Sequence, residues 1–388
     1  MAAEGGAAEA LRGAEQALRR GDHAEALRLL RGAESAAPAD PEVKMQLALA
    51  LRLGGDFPGA LAAVERALAL EPYLLMGHLT KGFLLERLGQ PRQAAESYRV
   101  ALKIAPPEER LPPSFKAPLA RAREQAAEQT EAFDRFLSAR LAPLRAGRAR
   151  EDLSRVDVAQ RVFAGKDKVY YPEPVNFNFP FLPPYQYHPR ESFPWLAELE
   201  AATETMAAEL REMLRQDREG FTPYIQYKPG EPVNQWEELN HSSRWSSFFF
   251  WKDGKRIDAN CQRCPRTAAL LERMPMTDQP GYAPTAMFSS LEPRTRIPPH
   301  TGSVNTRLIV HLPLILPGQC FFRVGNETRE WRMGEAWVFD DTIEHEAWND
   351  SGEERIILIF DVWNPHLTGA ERELVTALLD ARRDYMAG

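Results

Sequence analysis

A repeat with a period of 34 residues runs through the first hundred residues and constrains the fold more than any other feature. The recurring turn and terminator residues are Gly21, Gly55, Gly89, Pro38, Pro72 and Pro106. The recurring small residues are Ala14, Ala48, Gly82, Ala26, Ala60, Ala94, Ala33, Ala67 and Ala101. Glycine lets a helix hairpin reverse, proline ends the second helix, and small residues let two helices approach closely. The pattern therefore predicts three stacked helix hairpins.

This repeat resembles the tetratricopeptide repeat, and the resemblance covers residues 7–107 as three units. Such a solenoid presents a concave surface, which implies either a docking site for a peptide or partner protein, or a module for packing and self-association. Residues 108–170 are rich in Ala, Arg and Glu, and they predict one long connecting helix followed by a charged linker, QRVFAGKDKV.

The composition changes at Tyr170, where aromatic residues and prolines become frequent. An extended segment is expected first, then a helix, WLAELEAATETMAAELREML. Short β-like runs follow, namely RWSSFFFW, TAMFSSLE, TRLIVHLPLIL, CFFRVG, REWRM, AWVFD and RIILIFDVW. Such runs separated by turns indicate a sandwich or open barrel. The predicted fold class is thus multidomain: an all-α solenoid, then a mainly β double-stranded β-helix, or jelly roll, over residues 171–388.

Charge and composition disfavour several classes of partner. Lys and Arg number 48 against 55 Asp and Glu, and the net charge of −7 argues against nucleic acid. No apolar run approaches the roughly 18 to 20 residues of a membrane span. The N-terminus does not resemble a secretory signal, and three cysteines fit a reducing cytoplasm. We expect Cys261 and Cys264, a C-x-x-C pair without a second ligand pair, to be structural or incidental.

Two histidines flank the β-rich core in a pattern that suggests a metal site. His300 ends the loop RIPPHTG, and His345 lies in the turn FDDTIEHEAW before the last strand. Imidazole suits iron(II), which non-haem oxygenases usually hold with two histidines and a carboxylate spaced His-x-Asp. Here Gly302 stands at the carboxylate position. A histidine taken alone is more often a hydrogen-bonded core residue than a ligand, but the joint placement of these two, with Arg355 ten residues past the second, favours a site.

Arg355 opens the otherwise apolar run RIILIFDVW. A buried cation is costly without an anion, and a dicarboxylate would supply one, bound by the guanidinium fork. The alternative is an internal ion pair with Asp340, Asp341 or Glu344, and the sequence leaves both interpretations open.

The segments CPRTAALLE, PHTGSVNTRLIVHLPL, GEAWVFDDTIEHEAWNDSGEERIILIFDVWNP and FPWLAELE resemble the aspartyl/asparaginyl β-hydroxylase family over about residues 172–366. Members of this family are oxygenases that use iron(II), 2-oxoglutarate and O2 and lack the carboxylate ligand. The resemblance implies that His300 and His345 bind iron. It also implies that Arg355 and Ser289 bind the far carboxylate of 2-oxoglutarate, and that His311 contacts its metal-chelating end.

One departure from the family lies in the motif R-L-R-x-H, which reads Arg307-Leu308-Ile309-Val310-His311 in this chain. Ile309 stands at the second arginine, which leaves Arg307 as the candidate cation for cosubstrate or substrate. Trp251 or its neighbours are expected to form a wall of the pocket.

The resemblance implies hydroxylation of the β-carbon of an Asp or Asn in a peptide, protein or carrier-bound amino acid, with the repeats recruiting a partner or substrate. Some similar proteins hydroxylate lipid acyl chains, which the lack of a membrane-seeking stretch disfavours here. Two rival interpretations are a non-catalytic repeat adaptor with a silent cupin-like domain, and a metal-binding cupin without oxygenase chemistry. Intact His300, His345 and Arg355 speak against the silent domain.

Overall fold

The computed structural model describes residues 2–148 and 150–387. The chain divides into two compact units, Met1–Asp167 and Lys168–Gly388. The finer division into residues 7–107, 108–170 and 171–388 stays a prediction from the sequence.

The first unit is helical. Its helices are α1 (Ala2–Arg19), α2 (His23–Ala36), α3 (Pro41–Leu53), α4 (Phe57–Leu70), α5 (Leu75–Arg87), α6 (Pro91–Ile104), α7 (Lys116–Arg145) and α8 (Arg150–Ala164). The helices α1 to α6 form three consecutive hairpins, which confirms the predicted tetratricopeptide solenoid.

The repeated residues have the roles that their spacing predicts. Gly21, Gly55 and Gly89 each lie two residues beyond the first helix of a hairpin, with φ of +75°, +85° and +72°. Glycine adopts this left-handed conformation without a steric penalty. The recurring alanines are all buried in the contacts between helices. Each recurring proline lies two residues after the second helix, where it prevents a further turn.

The connecting segment differs from its prediction. Two helices, α7 and α8, replace the single predicted helix, because Gly147 with φ +79° reverses the chain between them. The predicted linker was also wrong in part, since α8 continues to Ala164. Arg145 of α7 pairs with Asp157 of α8 at 2.5 Å. Among the described residues, no helix has the length and apolar character needed to cross a membrane.

The second unit contains two antiparallel sheets. Its strands are β1 (Phe221–Pro223), β2 (Trp245–Lys252), β3 (Lys255–Arg256), β4 (Ala286–Leu291), β5 (Thr295–His300), β6 (Arg307–Ile315), β7 (Cys320–Val324), β8 (Glu327–Glu330), β9 (Trp337–Phe339), β10 (His345–Asn349) and β11 (Arg355–Trp363). The major sheet has the order β1-β2-β4-β11-β6-β9, with β3 beside β2, and the minor sheet has the order β5-β10-β7-β8. These facing sheets confirm the predicted jelly roll.

Among the described residues, five α-helices accompany the sheets. They are α9 (Leu196–Ala201), α10 (Thr203–Gln216), α11 (Asp258–Arg263), α12 (Pro265–Leu271) and α13 (Gly369–Ala387). The helix predicted from Trp195 is interrupted at Ala202, so that it forms α9 and α10. Met206 and Leu210 of α10 pack on the outer face of the major sheet.

The central strands β6 and β11 are buried on both faces, which explains their nearly continuous apolar sequences. Even-numbered residues such as Leu308 and Leu358 belong to the core under the helices. Odd-numbered residues such as Ile309 and Ile357 face the interior between the two sheets. Because side chains alternate along a strand, the same alternation brings the polar residues Arg307, His311 and Arg355 to the interior.

Four strands, β1, β3, β5 and β10, were absent from the sequence-based expectation, and the last two carry the candidate metal ligands. His300 was expected in a loop and His345 in a turn, but they end β5 and begin β10. The run TRIPPH contains Pro298 and Pro299, which argue against a central strand. Since β5 lies at the edge of the minor sheet, its prolines are tolerated there. The run REWRM was also misplaced, because β8 ends at Glu330.

Candidate functional site

A cavity of about 330 Å³ opens into the interior of the jelly roll. The major sheet contributes inward residues of β4, β6 and β11, and the minor sheet contributes residues of β5, β7 and β10. All six residues predicted for the site line this cavity: His300, His345, Arg355, Ser289, His311 and Arg307.

The two candidate metal ligands are direct neighbours in the minor sheet. His345 of β10 pairs with His300 of β5 in the strand register, and a β-bulge follows between His345 and Ala347. Residues directly opposite in an antiparallel pair project to the same face. The two imidazole centroids are accordingly 4.1 Å apart.

Hydrogen bonds orient both rings. His300 Nδ1 donates to the carbonyl of Pro298 at 2.8 Å, and His345 Nδ1 donates to the carbonyl of Ile343 at 3.1 Å. Since only Nδ1 carries the donated proton, Nε2 of each ring keeps its lone pair. Burial lowers the pKa of His300, and burial together with the neighbouring His300 lowers the pKa of His345 well below its ordinary value. Both shifts favour the neutral imidazole, which is the form that binds a metal.

These residues fit a metal held by two protein ligands. Within the described part of the chain, no group of three or more His, Cys, Asp or Glu side chains could hold a metal ion. A third protein ligand is thus not available, and the remaining coordination positions would be open to water or to a chelating small molecule.

Arg355 is the most deeply buried cation of the cavity, with 1% of its surface exposed. Its Nη1 donates to the carbonyl of Ser289 at 3.3 Å, its Nε has no partner, and its guanidinium lies 4.7 Å from the Trp331 ring centroid. Burial lowers the pKa of Arg355 to about 10, so the group stays charged at neutral pH.

The alternative that Arg355 forms an internal ion pair does not occur within residues 2–148 and 150–387. Asp340 accepts hydrogen bonds from the backbone and hydroxyl of Thr342, and Glu344 pairs with Arg323 at 2.9 Å. An uncompensated buried cation is expensive, and it matches an anionic ligand such as a carboxylate.

Ser289 and His311 lie beside Arg355. The Ser289 hydroxyl accepts a hydrogen bond from Trp245 Nε1 at 3.2 Å. The His311 ring lies between Phe322 and Phe339, at centroid distances of 4.9 and 4.7 Å, and its Nδ1 has no partner. Burial, and then the nearby Arg355, lowers the pKa of His311 well below its ordinary value.

Arg307 forms a buried ion pair with Asp361, which the sequence did not reveal. Arg307 Nη1 lies 2.9 Å from Asp361 Oδ2 and also donates to the carbonyl of Tyr282 at 3.1 Å. The other carboxylate oxygen of Asp361 accepts from the Thr285 amide at 3.2 Å. Burial raises the pKa of Asp361 to about 6, while Arg307 opposes this rise.

Gly302 lies directly against the carboxylate of Asp341. A β-carbon at position 302 would be 2.0 Å from Asp341 Oδ2 and 2.2 Å from its Cγ. The Asp341 carboxylate, from another loop, therefore occupies the space that the side chain of an aspartate at position 302 would need. Burial, and then the neighbouring Asp340, raises the pKa of Asp341 to about 8.

An aromatic wall covers the outer side of His300. The Trp236 ring stands edge-on to His300 at a centroid distance of 5.0 Å, and Tyr224 lies against Trp245 at 4.2 Å. The expectation for Trp251 itself was wrong, because its indole belongs to the core under the helices. Strict alternation along β2 would place Trp251 on the same face as Trp245, which lines the cavity, but a register shift between Phe249 and Trp251 turns Trp251 to the other face.

No role for Asp361 or Trp236 followed from the sequence, and Asp341 was expected only as a possible ion-pair partner of Arg355. Both aspartates stand within motifs that carried the family resemblance, so those motifs were the available signal. Cys261 and Cys264 are buried free thiols in the core beneath the helices, outside the cavity.

Comparison with known proteins defines the class to which this fold and site belong. The family described as "Aspartyl/Asparaginyl beta-hydroxylase" matches residues 200–365. The chain is 32% identical over 200 residues to the ornithine lipid ester-linked acyl 2-hydroxylase of Rhizobium tropici, covering 51% of this chain and 67% of that protein. The fold and the site are thus those of a hydroxylase. The chain belongs to the aspartyl/asparaginyl β-hydroxylase family, and it carries tetratricopeptide repeats at its N-terminus.

Other relatives match over shorter parts of their length. The human aspartyl/asparaginyl beta-hydroxylase is 39% identical over 143 residues, which is 37% of this chain and 19% of the human protein. The chain therefore spans about a fifth of that relative. Among solved structures, the TPR2B domain of yeast Sti1 in its complex with pHsp70 aligns with 32% of this chain and 98% of its own, at a TM-score of 0.29 and 20% identity.

Proposed function

We propose that this protein is an iron(II)- and 2-oxoglutarate-dependent dioxygenase that hydroxylates the β-carbon of an Asp or Asn residue in a peptide, protein or carrier-bound amino acid. One observation carries the proposal: a single cavity holds two histidines whose Nδ1 atoms are hydrogen-bonded, which leaves their Nε2 atoms available, and a buried arginine with no anionic partner among the described residues. In the overall reaction, substrate C–H, 2-oxoglutarate and O2 give substrate C–OH, succinate and CO2.

Each residue has a task in this reaction. His300 and His345 hold the iron, which supplies the activation of O2 when it is bound. The Arg355 guanidinium and the Ser289 hydroxyl bind the far carboxylate of 2-oxoglutarate, and His311 contacts its chelating end. Trp236 and Tyr224 limit the access of water to the reacting carbon. We further propose that the repeats recruit the substrate or a partner protein, and that the protein acts in the cytoplasm.

The adaptor with a silent domain is the rival interpretation. A silent domain gains nothing from a buried cation without a partner, since apolar replacements of buried charges are often neutral or stabilising. The retained Arg355 therefore favours the enzyme. Acyl-chain hydroxylation is a second candidate, because the Rhizobium relative carries that activity in its name.

Anaerobic incubation of the full chain with iron(II) and 2-oxoglutarate, followed by oxygen, tests the proposal through the succinate released. We expect iron-dependent succinate from the wild type and none above background from His345→Ala. His366→Ala serves as the matched control, because this exposed histidine lies outside the cavity. Background succinate from the wild type, together with no 2-oxoglutarate binding, would refute the dioxygenase.

A further inference from the structure

Four charged side chains other than histidine line the cavity, and their arrangement bears on which substrate fits. They are Arg307, Asp341, Arg355 and Asp361. Under the proposed function, on which this inference rests, Arg355 is occupied by the far carboxylate of 2-oxoglutarate. The substrate therefore meets only the other three groups.

The charge of Arg307 is already compensated. Asp361 pairs with it at 2.9 Å, and the Asp361 side chain is only 4% exposed. The Asp341 carboxyl lines the same cavity, close enough to Arg307 and Asp361 for their charges to affect its pKa, and it has no side-chain hydrogen-bond or ion-pair partner among the residues that the structure describes. Whatever the protonation state of Asp341, the three groups together carry no net positive charge.

The strand β6 offers no additional cation. Its inward residues are Arg307, Ile309 and His311, so the middle position is apolar, and Ile309 pairs with Asp361 in the strand register. A substrate carboxylate here would lose its hydration between an apolar side chain and two acidic residues, and no unpaired cation is there to compensate for that loss.

An amide suits the same groups better. The Asp341 carboxyl lines the cavity, and an amide offers it a donor and an acceptor, so that the two groups match in either protonation state of Asp341. The amide NH2 can donate to the unpaired Asp341 carboxylate. A plain acyl chain would leave these polar groups without partners, which selects against it.

We infer that this cavity hydroxylates an uncharged asparaginyl side chain and discriminates against the aspartyl side chain. This selectivity applies to the substrate residue at the reacting position only. It makes Ile309 the specificity-determining residue, because an arginine there would add the positive charge that a substrate carboxylate requires.

An isosteric pair of probes tests this inference with the full chain, iron(II) and 2-oxoglutarate. N-acetyl-asparagine methylamide and N-acetyl-aspartate methylamide differ in one charge and hardly in shape. Stimulated succinate release and the gain of one oxygen by the probe are measured for each. We expect the wild type to favour the asparagine probe in kcat/KM by at least about tenfold. Ile309→Arg should shift this ratio toward the acid by at least about tenfold, whereas the uncharged Ile309→Met should not.

Equal use of both probes by the wild type, a preference for the acid, or no response to either while 2-oxoglutarate binds would each overturn the inference. Turnover with a short acyl amide in place of both probes would overturn it too. Failure of the proposed function looks different, because 2-oxoglutarate then neither binds nor yields succinate in any variant, and the inference fails with it.

Discussion

Replacement of Arg355 by methionine is expected to stabilise the protein in the absence of cosubstrate. The pKa of Arg355 is about 10 instead of 12.5, and burial is the cause. At about 1.4 kcal/mol for each pKa unit, this difference corresponds to a cost of roughly 3 kcal/mol for burying the charge. Because the pKa is lowered, the cost applies in full while the group is charged, and it is relieved only as the pH rises through about 10.

The contact of Arg355 with the Trp331 ring returns part of this cost, about 1 to 2 kcal/mol when desolvated. We therefore expect Arg355→Met to gain about 1 to 2 kcal/mol, which raises the Tm of the β-rich unit by roughly 2 to 8 °C. With 2-oxoglutarate at about 100 times its Kd, the wild type gains about 2.7 kcal/mol and the variant gains nothing. The order of the two stabilities should then reverse.

Thermal unfolding under anaerobic conditions, with and without 2-oxoglutarate and iron(II), measures both effects. Arg355→Lys is the matched control, because it keeps a buried charge without the planar fork and should show neither the gain in Tm nor full cosubstrate binding. A methionine variant that is less stable than the wild type without cosubstrate would refute the reasoning. Such a result would mean that Arg355 has a stabilising partner in the folded protein.

Two further predictions concern glycines in close contacts. Gly302→Asp should not supply a third metal ligand, because the new side chain would displace the Asp341 carboxylate. We expect metal affinity, measured by chelator competition, to fall at least about tenfold. The affinity should recover in the double variant that also carries Asp341→Ala. Unchanged or tighter binding by the single variant would contradict this. Gly82→Ala should cost about 1 to 3 kcal/mol in urea unfolding of the repeats, because its β-carbon would lie 2.4 Å from the Tyr98 ring. Gly32→Ala, which meets nothing within 4 Å, should instead gain up to about 1 kcal/mol, and equal effects would argue against the packing explanation.

The helical half of the protein was readable from the sequence because its contacts are local. Each hairpin packs on its neighbour, so a period of 34 residues specifies which alanines are buried and where each glycine reverses the chain. The break between α7 and α8 at Gly147 was not predicted, because a single glycine in an Ala- and Arg-rich stretch is not enough to indicate the end of a helix. The jelly-roll class also followed from the sequence, through the several short β-like runs that turns separate.

For the site, the sequence predicted which residues take part but not how they are arranged. His300, His345 and Arg355 could be named from their positions beside apolar runs and from the family motifs. Their mutual placement could not, because β5 and β10 are 45 positions apart at the two histidines and β5 contains two prolines. A register between distant strands depends on the whole sheet, so no local pattern contains it.

The tertiary structure alone decided the electrostatics of the cavity. From the sequence alone, each charged residue of the site could have formed an ion pair with several residues of opposite charge. Only the folded structure shows which pairs form. It paired Arg307 with Asp361, left Arg355 without an anion, and laid Asp341 over Gly302. The sequence by itself determined the period, the alternation and the chemistry available. The fold determined which groups meet, because burial and distance between remote segments are set by packing of the complete chain.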